Sequence, residues 1–233
     1  MINKINRLAI IPARSGSKRI AAKNIKKFID KPIINFSIDN IVKSKLFNEI
    51  HVSTDSLEFK KIIEKKNKLK IDFLRPKNLS TDKTPLIEVI KFVTKKIYKK
   101  KVFDEVWLIY PCAPLTKSTD LIQASKKFRS TDKKFPMISV KKYDAPIEWS
   151  LKKRGDLFTP NNLNKINLDS KKTQTYYYES ASFIIYNFKH IISDKKYNKF
   201  YGYELPRERA VDIDNISDWK IAEFFYKYNN KKI

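Results

Sequence analysis

From Leu8 to Val140 short apolar runs alternate with amphipathic stripes, and few folds satisfy that rhythm. Leu8–Ile11, Glu49–Ser53, Ile71–Leu74, Val106–Tyr110 and Met137–Val140 have the length and apolar character of strands. Between them lie helical patterns. One opens at Pro32, with Ile34, Ile38 and Ile41 on a face. A second follows Ser56, a third opens at Pro85 with Leu86, Val89, Ile90 and Val93, and a fourth runs from Ser118 to Phe128. Strands alternating with helices predict right-handed βαβ units: an α/β, Rossmann-like fold whose mainly parallel sheet is flanked by helices. VWLIY (106–110) is the most apolar run and reads as the sheet centre.

The rhythm breaks between Tyr143 and Tyr178, where no long periodic run survives. This stretch reads as an excursion from the core, built of hairpins that contact a second subunit. Phe183–Tyr186 returns to a strand, YELPRERAVDID (203–214) ends in another, and Ser217 begins a last helix packed by Trp219, Ile221, Ala222, Phe225 and Tyr226. No repeat or flexible linker divides the chain, so residues 1–233 read as one domain with an insertion at about 143–178.

The 233 residues carry a formal charge of +25, with lysine pairs on nearly every polar face. Dispersed charge of this kind reads as a solvated surface drifted toward lysine rather than as a nucleic-acid footprint, although a basic nucleic-acid-binding protein remains the alternative of another class. The single cysteine, Cys112, excludes an internal disulfide framework. No run is long enough to span a bilayer and no leader is read, so a cytoplasmic protein is expected, without membrane or nucleic-acid partners.

The chemistry concentrates in LAIIPARSGSKRIAAKN (8–24). A buried strand breaks at Pro12 into a loop carrying Arg14, Lys18, Arg19 and Lys23 around Ser15, Gly16 and Ser17. Cations and free backbone N–H groups at a strand end suit a polyphosphate. One glycine is too few for amides alone, so the cations take that work, Arg14 holding two oxygens at once. Asp212 and Asp214 are the second constellation. At i and i+2 of a strand both emerge on one face with Ile213 turned inward, and two such carboxylates call for a cation, Mg²⁺ beside a nucleotide. The bland reading has Asp214 capping the last helix and Asp212 paired with Arg207 or Arg209. YPCAP (110–114) follows the central strand, where open α/β sheets bind ligands. Cys112 has no histidine tied to it and is not read as a nucleophile. Arg75 reaches the same crevice or forms a salt bridge, and Asp55 touches a ribose or, better, caps a helix.

In order, IIPARSGSKRIAAKN, HVSTD, FLRPKNLSTD, YPCAP and RAVDID resemble the motifs of the acylneuraminate cytidylyltransferases. PIEWSLK (146–152) and LPRERAVDID followed by Asp218-Trp219 look most like the pseudaminic acid branch. The resemblance implies the nucleotide-diphospho-sugar transferase type of fold. It also implies transfer of CMP from CTP to the anomeric hydroxyl of a nonulosonic acid, with pyrophosphate released. Carried over by position, Arg14, Lys23 and Asp212 are catalytic; Ala13, Arg14, Ser15, Gly16, Lys18, Lys23, Asn24, Arg75 and Pro111 bind the nucleotide; Asp212 and Asp214 hold Mg²⁺. Tyr110, Tyr178, Glu179 and Ser182 fall in the sugar pocket, where YESAS (178–182) departs from the branch's His-Asp-Ala-Gly-Gln-like segment. A homodimer formed through the insertion is implied too. Sialic, legionaminic and 3-deoxy-octulosonic acid enzymes are the alternatives, the last disfavoured by Ile20–Asn24 where a Leu-Pro-Gly-Lys-Pro continuation is usual.

Overall fold

The computed structural model describes residues 5–67, 69–99 and 101–230. In chain order the elements are β1 (Arg7–Pro12), β2 (Lys27–Phe28), β3 (Lys31–Pro32), α1 (Ile33–Ser44), β4 (Glu49–Ser53), α2 (Leu57–Asn67), α3 (Leu86–Tyr98), β5 (Glu105–Ile109), α4 (Ser118–Arg129), β6 (Met137–Lys142), β7 (Leu151–Arg154), β8 (Leu157–Pro160), β9 (Tyr177–Asn187), α5 (Phe188–Ile192), β10 (Tyr201–Glu204) and α6 (Ile216–Asn230). A six-stranded sheet has the order β10-β6-β9-β5-β1-β4. β1 lies parallel to both β4 and β5, and β10 parallel to β6.

All of β1 is buried, because helices cover both sheet faces. Ala9 and Ile11 pack with Ile34, Ile38, Phe59, Leu121 and Phe128 on the side of α1, α2 and α4. Leu8 and Ile10 pack with Ile90, Val93, Phe188 and Ile191 on the side of α3 and α5. At the foot of β5, Arg7 and Glu105 form a buried ion pair at 2.8 Å, and Trp107 Nε1 donates to the same carboxylate.

Three expectations change. Ile71–Leu74 forms no strand, so β4 is the sheet edge. Its N–H at Ile71 goes to the Glu64 side chain, and only Arg75 N–H reaches Thr54 O, at 2.7 Å. Pro76 then removes the next donor. β9 runs antiparallel to β5 and β6, because it returns directly between them without a covering crossover helix. It also slips register against β6 at Ser180–Ser182. There Ala181 adopts φ +49°, and the buried Ser139 hydroxyl accepts the N–H groups of Ser182 and Phe183 that the slip frees. Finally, Ala210–Asp214 is not a strand. The insertion folds as the β7–β8 hairpin, turning at Gly155 with φ +60°, and leaves Leu157, Phe158 and Leu163 mostly exposed. No helix among the described residues is long and apolar enough to cross a membrane.

His51 on β4 is 4% exposed and stacks on Phe73 at 4.3 Å. Burial pulls its pKa from 6.5 to about 4, against a smaller opposing pull from Asp72. Between pH 6.5 and 4 the unfolded chain therefore takes up a proton that the folded chain refuses, and stability falls as pH falls by at most ~3 kcal/mol. Above pH 6.5 this contribution is complete. Melting curves across that window should show the decline, and His51→Leu should flatten it; an unchanged slope would remove His51 as its source.

Candidate active site

One cleft opens at the carboxyl ends of β1 and β5, where the topology places ligands in such sheets. Its first wall is the loop after β1. The Ala13 N–H bonds Ser53 O at 2.8 Å and so anchors the loop to β4. Asp55 accepts both the Ser15 N–H and the Ser15 hydroxyl. Asn24, almost fully buried, donates to Arg14 O at 2.9 Å and accepts from the Cys112 thiol. These bonds close the loop on itself, and Arg14, Ser17, Lys18, Arg19, Lys23 and Asn24 line the cleft.

The second wall comes from the far end of the sequence. Ile213 is buried in the same apolar cluster as Ile20, Phe28, Leu115 and Trp219. With Ile213 turned inward, the flanking Asp212 and Asp214 both line the cleft. Neither alternative partner takes them. The last helix begins after Asn215, whose Oδ1 accepts the Asp218 N–H while Asp218 Oδ2 accepts the Asn215 N–H, a reciprocal cap. Arg207 pairs with Asp144 and Arg209 with Asp120. Asp214 instead meets Arg19 at 2.8 Å and Lys23 at 3.8 Å. Lys23 Nζ also donates to Ile213 O at 2.6 Å. The protein crowded around Asp212 strips water from its carboxylate and raises its pKa, and the charge of Asp214 adds to this. Two mutually repelling carboxylates open to cations fit a hard divalent ion that completes its shell with phosphate oxygens and water, as Mg²⁺ does. Among the described residues no third histidine, cysteine or acid completes a protein-only cage.

Arg75 forms the floor. It is 5% exposed, yet among the described residues its Nε and Nη2 find no acceptor. Burial lowers its pKa, Asp55 partly offsets this, and Arg14 adds to it. Arg75 lines the cleft, but these two nitrogens are themselves closed off from solvent, so an acceptor reaches them only as the side chains around them shift. Tyr110 closes the other side; its hydroxyl donates to Glu179, and its N–H bonds Ser182 O at 3.0 Å. Burial first, and Glu179 second, hold that phenol well above its ordinary pKa, so it remains a donor at neutral pH. Pro111 and Ala181 complete the wall. The Cys112 thiol is pushed up to about 12 by burial and is no nucleophile.

Some assigned residues stand elsewhere. Ser15 turns toward Asp55, and Ala13 is fully buried, so both brace the loop rather than face the cleft. Gly16 is absent from the cleft wall, and a Cβ there would meet nothing within 4 Å. Ser182 is buried in the register slip, contacting Ser180, and supports Tyr110 through its carbonyl. Tyr178 lies beside Asp212 in an adjoining groove, under the Lys141 ammonium at 4.8 Å. Asp55 neither caps a helix nor faces the cleft; Ser56 is the cap, accepting the Phe59 N–H.

Sequence reasoning missed Asp82. Its carboxylate accepts from Arg14 at 2.5 Å and from Lys18 at 2.7 Å, and these bonds lower its pKa. It had been legible only as the end of FLRPKNLSTD, with nothing to pair it to residues more than sixty positions earlier. An anion entering the cleft competes with Asp82 for both cations. Asp82→Ala should therefore raise the affinity for inorganic tripolyphosphate about two- to fivefold, the worth of exposed ion pairs, as read by calorimetry at low salt. A fall in affinity would mean that Asp82 organises the cations instead.

The cytidylyltransferase family model matches residues 8–231. The chain is 31% identical over 229 residues to the pseudaminic acid cytidylyltransferase of Campylobacter jejuni, covering 96% of this chain and 97% of that protein. It is 31% identical over 232 residues to the N-acylneuraminate cytidylyltransferase of Escherichia coli O18:K1:H7, covering 97% of this chain and 53% of that longer protein. A solved CMP-2-keto-3-deoxy-manno-octonic acid synthetase complexed with CTP superposes with a TM-score of 0.65 at 12% identity, over 96% of this chain and 99% of that one. That last likeness is one of fold.

Proposed function

The chain belongs to the cytidylyltransferase family, and on that ground we propose that it transfers CMP from CTP to the anomeric hydroxyl of a nonulosonic acid, pseudaminic acid first among them. The observation that supports this most is the meeting, in one cleft, of Arg14, Lys18 and Lys23 with Asp212 and Asp214, some 190 residues away. The substrate class follows the relatives matched over their whole length, with pseudaminic acid preferred because that enzyme is 31% identical and the N,N'-diacetyllegionaminic acid one 27%.

In this reading the hydroxyl oxygen bonds to the α-phosphorus while the bond from that phosphorus to the bridging oxygen breaks, and pyrophosphate leaves. Such transfer needs positioning and charge neutralisation rather than a covalent nucleophile. Arg14 and Lys18 leave Asp82 for the triphosphate. Lys23, aligned by Ile213 O, neutralises charge at the α-phosphate. Arg75, lining the cleft, offers its guanidinium to the O2 and N3 acceptors on the edge of cytosine once the base displaces the side chains that cover it. Mg²⁺ held by Asp212 and Asp214 would supply further charge neutralisation on the phosphates. Asp212, which borders the cleft where the acceptor hydroxyl would stand, is also an acceptor for its proton. Tyr110, with Glu179 behind it, faces the acceptor sugar, and Tyr178 borders it from the adjoining groove that Asp212 shares. The same reading makes the protein a homodimer, supported by the exposed Leu157, Phe158 and Leu163 of the insertion.

Pyrophosphate release from CTP should appear with one of pseudaminic, sialic or legionaminic acid, and background rates with all of them would end the proposal. Asp212→Asn should cost about a hundredfold or more in kcat, the scale of a lost electrostatic contact in a transition state, with the melting temperature held. Arg75→Met should raise KM for CTP about tenfold or more, the worth of charged hydrogen bonds, while the free protein melts no earlier, since it loses a buried unpaired charge. Unchanged KM would remove Arg75 from the nucleotide site.

A further inference from the structure

Asp212 and Asp214 sit on a segment that has no strand ladder to hold it. The last backbone bond to the sheet is Leu205 N–H to Val140 O at 2.9 Å. A short turn at Arg207–Arg209 follows, closed by Ala210 N–H to Arg207 O. Beyond it, side chains do the holding. Lys141 Nζ donates to Ala210 O at 2.7 Å and Lys23 Nζ to Ile213 O at 2.6 Å.

The strongest of these attachments is at Arg209. Its Nη1 donates to both oxygens of Asp120, at 2.7 and 2.8 Å. Asp120 is 3% exposed and stands in the first turn of α4, where its Oδ2 also accepts the Lys117 N–H at 2.8 Å. The carboxylate therefore has its orientation set by its own helix before Arg209 arrives. Arg209 lies three residues before Asp212, and residues 110–117, which begin with Tyr110-Pro111-Cys112, join the strand end to the same helix. One rigid element thus carries both the loop after β5 and the anchor of the carboxylate segment.

We propose that Asp120 and Arg209 form a positioning clamp, which touches neither substrate nor metal but sets where Asp212 and Asp214 stand in the cleft. This rests on the reading of those two aspartates as the working carboxylates. A charge-assisted bond to a helix that is already fixed defines position better than a flexible surface pair, because neither partner can swing away. The fold alone does not require it: Ile213, Trp219 and Phe28 hold α6 through apolar contact. Contact of that kind locates the segment without orienting the side chains beside it.

The test compares Arg209→Ala, Arg209→Lys and Asp120→Asn with Asp212→Asn, each in the full chain and each checked for its melting temperature. Arg209→Ala should lower kcat about tenfold or more, the scale of a small displacement of reacting groups. KM for CTP should stay within about threefold, since the cation loop and Arg75 are untouched. Arg209→Lys should recover most of the rate. Without CTP or metal, hydrogen–deuterium exchange should rise across 210–214 in Arg209→Ala and stay unchanged across 13–24. Asp120→Asn should follow Arg209→Ala; should it fail to fold, the partly exposed Arg209 still decides. Folded Arg209→Ala with wild-type kcat and wild-type exchange, beside an inactive Asp212→Asn, would overturn the clamp. An active Asp212→Asn would instead overturn the role of the aspartates, and the exchange result would still report whether the clamp holds the segment.

Discussion

The cleft depends on a small apolar cluster that lies outside the main core. Ile20, from the loop after β1, and Ile213, from the approach to α6, are buried together with Phe28, Phe36, Leu115 and Trp219. Phe28 and Trp219 meet edge to face, with centroids 5.4 Å apart. Burying each isoleucine stabilises the fold by ~1.5–3 kcal/mol, enough to hold two chain segments that share no ladder. Their neighbours are brought to one place by this, though not yet oriented there. Lys18, Arg19 and Lys23 lie within three residues of Ile20, Asp212 and Asp214 flank Ile213, and closing the cluster brings the two sets face to face.

That meeting answers an electrostatic difficulty. A chain with a charge of +25 places four cations in one loop. Asp214 takes Arg19 and Lys23, and Asp82 takes Arg14 and Lys18. Most of these pairs are solvated and worth little individually, so they can be exchanged for a ligand's charges without great cost. Arg75 is different: buried, with two donors unengaged, it is the group in the cleft that the free protein leaves least satisfied.

Much of the architecture could be read from periodicity. The helices at Ile33–Ser44, Leu86–Tyr98 and Ser118–Arg129 begin within a residue of their predicted starts, because Pro32 and Pro85 fix the backbone ahead of the first two and Asp120 accepts the Lys117 N–H at the third. Ile71–Leu74 shows the limit of that method. Its residues are apolar enough for a strand, but a strand exists only if a neighbour takes its ladder, and one backbone bond at Arg75 is all that forms. The reversed β9 and its register slip were equally invisible, since an apolar run carries no sign of direction.

For the site, residue chemistry was legible and partnership was not. The cationic loop could be recognised from charge alone, as could the unsuitability of Cys112, whereas the reading of the Asp212/Asp214 pair rests on a strand spacing that the chain does not adopt. That Ser15 braces rather than faces the cleft, that Ser182 is buried behind Tyr110, and that Asp82 occupies the cations could not. Each depends on a contact between distant positions, and local sequence holds no record of distance. The sequence by itself determined the alternation of strands and helices and the supply of opposite charges. Tertiary structure alone decided which charges meet, because burial of Ile20 against Ile213, and of Asp120 against Arg209, sets those pairings across the chain.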